Sequence, residues 1–206
     1  MTKQRHTIIA ILSILFALSI HAQETPNARQ ARQIFDRTYN MVFGERGSSL
    51  HYAVNIIGIY KTAGNIWYKG KKSKYAESRY ASWNDGTTAY MVDNKKKTVE
   101  IYRADDDSKD EYLSKFKFNA DDYTYHVAKA TQGYELSIKP KHSGIAGIKE
   151  VKAIIDRNYH PISMRIKVAF FWTTVKISNF KSSGIADSTF TFPRNQFKTY
   201  KFTDKR

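Results

Sequence analysis

The stretch from Gly64 to Asn94 restricts this chain to a largely antiparallel β architecture. Short segments of β-branched and aromatic residues, which strands favour, alternate there with basic or Asn-Asp-Gly turns. The turn at Asn84–Gly86 uses residue types that adopt a positive φ at low steric cost. The pattern predicts a first strand at Leu50–Tyr60 and a turn at Thr62–Gly64. The strands predicted after it are Ile66–Tyr68, Lys74–Tyr80, Thr87–Val92 and Thr98–Arg103.

Alternation resumes in the second half of the chain, where apolar residues occupy every second position. One-sided alternation over many strands predicts a sheet with one apolar face and one polar face. The predicted strands are Tyr123–Val127, Tyr134–Ile138, Ile148–Ile155, Ile162–Val168, Thr173–Ile177 and Asp187–Pro193.

Two amphipathic helices are predicted beside the sheet. The first covers Thr25–Phe43, because Thr25 can cap it, Pro26 suits its first turn, and apolar residues recur at helical spacing. The second begins at the capping box Ser108–Glu111. Its apolar residues Tyr112, Leu113 and Phe116 need an apolar surface to cover.

The chain has 206 residues, which suits one domain over residues 23–206. Residues 1–22 resemble a secretory signal peptide, with Lys3 and Arg5 before an apolar run and Ala22 before the cleavage point. A membrane anchor is the alternative, but the run is short for a bilayer span of roughly 20 residues. The sequence contains no cysteine, so disulfides and a lipid-modified cysteine are excluded. We expect an exported, periplasmic protein.

The net charge of +15 becomes +13 when Lys3 and Arg5 are removed with the signal peptide. Nucleic acid is not an expected partner, because an exported chain rarely meets it. Attraction to anionic lipid head groups is one interpretation. The other is a solvated surface whose lysines discourage strand pairing at sheet edges.

Catalytic and metal sites are not expected. The six histidines are scattered, and the sequence contains no His-Glu-x-x-His, nucleophile elbow or phosphate loop. The aspartates at 105–107 lack the ligand spacing of a calcium loop. We therefore predict that the protein is not an enzyme and uses no cofactor.

Several motifs occur in a recurring order. A Gly-x-Ile-Trp segment, a lysine and an Asp-Gly-x-Thr turn are followed by Tyr134-x-Leu-x-Ile-x-Pro140, Pro161-Ile-Ser-Met164 and an Asp187 segment with Phe190 and Phe192. The ordered set resembles the LolA family of periplasmic lipoprotein carriers over roughly residues 28–197. The matching positions in the first half are Gly64, Ile66, Trp67, Lys69, Asp85, Gly86, Thr88 and Asn94.

The resemblance implies an antiparallel, unclosed β-barrel with a helical lid (mainly β with helices, α+β). It also implies a soluble monomeric carrier that shields lipoprotein acyl chains, or a related lipid. The carrier would be loaded by an inner-membrane release complex and would deliver to an outer-membrane acceptor. One departure concerns the lid: the family often has Arg-Pro after the lysine matched by Lys69, and the arginine helps hold the lid closed. Here Gly70 and Lys71 occupy those positions.

The apolar alternation supplies candidate lining residues for such a hollow, with Tyr112, Leu113 and Phe116 from the lid. Plain core packing is the alternative for each residue. A cell-envelope interaction module with a basic surface, or a small outer-membrane barrel, are the alternatives for the whole protein. The candidate lining residues are Val54, Ile56, Trp67, Tyr75, Met164, Ile166, Val168, Val175 and Ile177.

Overall fold

The computed structural model describes residues 24–56, 60–105, 120–142 and 147–206. The predicted signal peptide and the predicted helix from Ser108, with Tyr112, Leu113 and Phe116, lie outside these residues. The side chain of Ile56 also lies outside the described part of the chain.

Helix α1 spans Pro26–Phe43 and confirms the first predicted helix. The Thr25 hydroxyl accepts an amide hydrogen bond from the first turn at 3.1 Å, which satisfies an otherwise unpaired donor. Gly44 ends the helix and donates its amide hydrogen to the Asn40 carbonyl at 3.0 Å. The side chains that α1 buries are Ala31, Ile34 and Val42.

Twelve strands form one sheet in which β12 and β6 are parallel and the other neighbouring pairs are antiparallel. The order across the sheet is β12-β6-β5-β4-β3-β2-β1-β11-β10-β9-β8-β7. The strands at its two ends do not pair with each other, so the described strands form an unclosed barrel. In chain order the strands are β1 (Ser48–Ile56), β2 (Tyr60–Lys69), β3 (Lys72–Ala76), β4 (Tyr80–Asn84), β5 (Thr88–Asp93), β6 (Thr98–Arg103), β7 (Tyr123–Ala130), β8 (Gly133–Pro140), β9 (Ile148–Asp156), β10 (Pro161–Val168), β11 (Phe171–Ser182) and β12 (Lys201–Asp204).

Four predictions of local structure were wrong. The first predicted strand, Leu50–Tyr60, is too long, because β1 ends at Ile56 and Tyr60 begins β2. Residues 62–64 lie inside β2 rather than in a turn. The single strand predicted over 74–80 is instead the end of β3, a turn and the start of β4. The turn is closed by the Glu77 amide, which donates to the Tyr80 carbonyl at 2.8 Å. The last predicted strand is a short 3-10 helix, Asp187–Phe190, and the sequence analysis missed β12.

Two hydrophobic clusters lie on opposite faces of the sheet. Side chains that pair directly across neighbouring strands point to the same face, so the register identifies the two faces. On one, here called the helix face, α1 covers Val127 and Leu136. On the other, here called the tail face, the C-terminal segment (residues 187–202) covers Trp83 and Val99 with Phe192 and Phe197. The sheet therefore has a separate covered core near each of its ends.

Aromatic rings make the tail-face core. Phe192 stacks on Tyr90 with 4.2 Å between ring centroids and an interplanar angle of 5°. The same ring meets the edge of Trp83 at 5.5 Å. Edge and offset ring contacts of this kind add stability beyond the area they bury. This packing holds the C-terminal segment against β4 and β5.

Candidate functional site

A row of apolar side chains crosses six strands on the helix face. Each member pairs directly with the next across the sheet, so the row is continuous. This apolar row consists of Val54, Val175, Met164, Ala153, Leu136 and Val127.

Burial decreases along the apolar row. At one end, Val127 and Leu136 are buried in the cluster that includes Ala31 and Ile34 of α1. At the other end, Val175 and Val54 are only half-buried. Helix α1 therefore covers one end of the row and leaves the other partly accessible.

Two polar contacts fix α1 over β7, which is an edge strand. The Asn27 side chain donates to the Val127 carbonyl at 2.8 Å and accepts from its amide at 3.0 Å, as a paired strand would. Arg32 bridges Asp36 at 3.0 Å and Asp121 at 3.1 Å. An edge strand covered in this way is protected from pairing with another chain. Sequence analysis missed Asn27, because nothing in the helical pattern distinguishes it from a solvated residue.

The other predicted lining residues divide between the two faces. Ile166, Val168, Ile177 and Tyr75 lie on the helix face with the apolar row. Ile166 and Val168 continue the apolar side of β10 to its end. The structure does not bring Trp67 to this surface, because the register places it on the tail face, so Trp67 is removed from the predicted lining.

Trp67 belongs to a cation–π arrangement on the tail face. The Lys74 ammonium lies 4.9 Å from the centroid of the Trp67 ring and 5.3 Å from that of Trp83. Removal from water lowers the pKa of Lys74, because burial disfavours its charged form. The two rings offset part of that cost by attracting the ammonium group.

Tyr52, Tyr75 and Glu77 form a polar cluster on the helix face beside the half-buried end of the row. The Tyr52 and Tyr75 rings stack with 6.0 Å between centroids, and the Tyr52 hydroxyl donates to Glu77 Oε1 at 2.6 Å. Tyr52 crosses over Gly64, so a β-carbon on Gly64 would lie 2.8 Å from the Tyr52 hydroxyl. Burial, followed by the hydrogen bond to Glu77, raises the pKa of Tyr52 far above its ordinary value of 10.0.

Between pH 8 and pH 11, we expect the free energy of unfolding to fall less in the Tyr52→Phe variant than in the wild type. The unfolded chain loses the tyrosine proton near pH 10, whereas the folded chain retains it, so the unfolded state binds fewer protons above that pH. The stability contributed by Tyr52 is present below pH 10 and is lost as the pH rises further. Urea unfolding at pH 8, 10 and 11 measures the effect. Equal losses of stability in the two proteins between pH 8 and 11 would contradict it.

Lys69, which matches the family lysine, holds the C-terminal segment. Its ammonium lies 3.2 Å from Asp187 Oδ1, and Lys72 lies 2.9 Å from the same oxygen. The Lys72 hydrogen bond, followed by that of Lys69, lowers the pKa of the Asp187 carboxyl. At the next position, a β-carbon on Gly70 would lie 2.5 Å from a Glu45 carboxylate oxygen. The place where the family often carries arginine is therefore a tight turn in this chain.

Two surface pockets in the described part of the chain are lined mainly by polar and charged residues and lie away from the apolar row. One of about 770 Å³ is lined by Thr87, Arg103 and Arg206 among others. The second, of about 450 Å³, lies over β7–β9 and includes His126 and Lys152. Neither pocket corresponds to the predicted hollow, so the candidate site is the half-buried end of the apolar row.

A metal site and a membrane-spanning helix are both absent from the described residues. In ranges 24–56, 60–105, 120–142 and 147–206, histidine, aspartate and glutamate do not form a group of three able to hold a metal ion. Within the same ranges, no helix has the length and apolar character needed to cross a membrane.

No family model and no curated protein matches the sequence. A solved structure of an uncharacterised conserved protein from Thermus thermophilus matches with a TM-score of 0.60 at 8% identity, covering 85% of this chain and 99% of that one. A LolA superfamily protein from Nitrosomonas europaea matches at 0.41 with 10% identity over 80% and 98% of the chains. An outer membrane lipoprotein-sorting protein domain from Vibrio parahaemolyticus matches at 0.43 with 11% identity over 84% and 100%.

The Thermus structure shares the fold of this chain.

Proposed function

We propose that this protein is a non-enzymatic periplasmic carrier that shields the acyl chains of a lipoprotein, or of a related lipid, on the helix face. The observation that supports the proposal most directly is the fall in burial along the apolar row. Val54, Met164 and Val175 are half-buried, whereas the same row is closed beneath α1. An acyl chain placed over these residues would extend an apolar core that already exists.

The free energy of such binding comes from removing methylenes from water. Each buried methylene contributes about 0.8 kcal/mol, so ten contribute on the order of 8 kcal/mol. No reacting group is needed for this role. Release into water would cost the same amount, so delivery requires an acceptor that binds the chain more tightly. The outer-membrane acceptor implied by the sequence resemblance would meet that requirement.

The test compares two neighbouring substitutions on β11. Val175 faces the apolar row, and Thr174, which is also half-buried, points to the other face. We expect Val175→Asn to weaken binding of an acylated peptide about tenfold, because an amide without a partner against a hydrocarbon chain costs about 1–3 kcal/mol. Thr174→Asn should bind as the wild type does.

Native mass spectrometry and a fluorescent acyl-peptide titration supply the measurements. Circular dichroism establishes that both variants fold. Equal binding by the wild type, Val175→Asn and Thr174→Asn would place the acyl chain elsewhere. A wild-type protein that never takes up acylated peptide would instead support the alternative, a cell-envelope interaction module with a basic surface.

A further inference from the structure

The hairpin of β10 and β11 ends in an exposed apolar tip. Phe170 is 91% exposed, Phe171 is 69% exposed, and Val168 is 41% exposed. Ala169 has a φ of +50°, so the connection between the strands is tight and holds the aromatic residues outward. Aromatic side chains of this size at one turn form an exposed apolar patch, and such patches mark sites of interaction.

Cations and an indole ring lie immediately behind this tip. Arg165 stacks over the Trp172 ring, with 4.8 Å from its guanidinium carbon to the centroid, and the Lys167 ammonium is 5.7 Å from the same centroid. Arg165 is exposed, and Trp172 is half-buried. Moving away from the turn, the hairpin therefore presents exposed apolar side chains first, then the Trp172 ring, and then the cationic groups of Lys167 and Arg165. Tryptophan prefers the boundary between hydrocarbon and head groups, and basic side chains prefer anionic head groups.

Other basic turns lie at the same end of the sheet. In an antiparallel sheet, alternate strands run in the same direction, so the strand order places the ends of β3, β5, β8 and β10 together. The turn after β5 carries three exposed lysines, Lys95, Lys96 and Lys97, and Lys141 follows β8. Two of the acidic residues at this end are already engaged, since Asp93 pairs with Arg79 and Glu77 accepts from Tyr52. The chain without Lys3 and Arg5 has a net charge of +13, and these basic turns make this end of the sheet complementary to an anionic surface.

We propose that the hairpin tip Val168–Trp172 inserts into the interfacial region of an anionic lipid bilayer while Arg165 and Lys167 contact its head groups. Insertion removes the Phe170 and Phe171 side chains from water. Arg165 and Lys167 limit the depth of insertion, because their charges stay with the head groups. Val168 and Phe171 share the face of Ile166 and Val175, so docking brings the accessible end of the helix face to the bilayer. The docking itself does not depend on whether that face carries acyl chains.

The test uses the whole mature protein and sedimentation with vesicles. The two vesicle compositions are pure phosphatidylcholine and phosphatidylcholine with about 30 mol% phosphatidylglycerol, a proportion on the order of that in anionic biological membranes. We expect binding to the anionic vesicles that weakens with added salt, since exposed charges are screened within about 10 Å at 0.1 M salt. The Phe170→Ser/Phe171→Ser variant should bind at least about tenfold more weakly, at the scale of 1.4 kcal/mol per tenfold.

Two controls separate the tip from general charge and from folding. Lys167→Glu should weaken binding, whereas Lys181→Glu, at an exposed lysine near the opposite end of β11, makes the same change in net charge and should weaken it less. The tryptophan emission of the wild type should shift to the blue on anionic vesicles, and that of Trp172→Phe should not. Both serine substitutions are at exposed positions, so thermal melting should be unchanged.

Three results would overturn the proposal. The first is a wild-type protein that does not bind anionic vesicles. The second is a Phe170→Ser/Phe171→Ser variant that binds them as well as the wild type does. The third is that neither the wild type nor the serine variant binds vesicles, while analytical ultracentrifugation shows a dimeric wild type and a monomeric serine variant. That result would make the tip an interface between two copies of this chain.

Discussion

Leu136→Ala should reduce the free energy of unfolding by about 3.5 kcal/mol, the middle of the range of about 2–5 kcal/mol for leucine truncations in closed cores. Leu136 is 0% exposed and lies in the cluster that joins α1 to β7, β8 and β9. The truncation removes three carbons and leaves a cavity that the flanking strands cannot close, because the sheet register holds them apart. A domain of ordinary stability, about 5–15 kcal/mol, would lose a large fraction of its margin.

Urea unfolding followed by circular dichroism measures this effect. Val168→Ala is the matched control, because it also removes methyl groups but from a side chain that is 41% exposed. The control should change stability by less than about 1 kcal/mol, as surface substitutions do. Similar losses in the two variants would mean that α1 does not close the core over Leu136.

Gly64→Val should reduce the free energy of unfolding about as much as Leu136→Ala does. The cause is the opposite one, because the substitution adds atoms to a filled site instead of removing them. A β-carbon at position 64 would lie 2.7 Å from the Ala76 carbonyl oxygen, and contacts with Tyr52 and Glu77 would be almost as close. The carbonyl belongs to the backbone and cannot rotate away, so β2 and β3 would have to separate. Overpacking of this kind costs about 1–3 kcal/mol or more.

A valine at the preceding position is the control for this substitution. Ala63 points to the other face of β2, so Ala63→Val should be tolerated. We expect the melting temperature of Gly64→Val to fall by about 6 °C or more, since each 1 kcal/mol shifts a domain of this size by about 2–4 °C. A melting temperature within about 2 °C of the control, at the lower limit of that scale, would show that β2 accommodates the side chain.

Gly64 also illustrates where sequence reasoning failed. The glycine was interpreted as part of a turn, because glycine commonly marks one. Its role is instead to let the Tyr52 ring cross the strand, a tertiary contact that local pattern cannot reveal. The turn after β3 was missed for a related reason. Residues 77–79 contain neither glycine nor proline, so the alternation continued through them without interruption.

The elements that local chemistry specifies were predicted well. Helix α1 has a capping threonine, a proline in its first turn and a glycine at its end, and the structure has all three in those roles. The strand Thr98–Arg103 was predicted to the residue. In contrast, Phe190 and Phe192 mimic strand alternation although they lie in or after a 3-10 turn, where tail-face packing decides their conformation.

The candidate site shows the same division. Val54, Met164 and Val175 are predicted lining residues, and the register places all three on the same face of the sheet. Alternation within β2 does not show which of its two faces joins this surface, so the prediction assigns Trp67 to the wrong side of the sheet. Relating one strand's alternation to its neighbour's requires the pairing register, which the sequence does not contain.

The separation of the two hydrophobic clusters has a mechanical consequence. One cluster clamps β7–β9 beneath α1, and the other clamps β4–β6 beneath the C-terminal segment. Between them β3 is half-buried along its whole length. Distortion costs least where few apolar contacts must be broken. The two cores do not share residues, so a change in sheet curvature between them would widen or narrow the space above the apolar row while both cores stay intact.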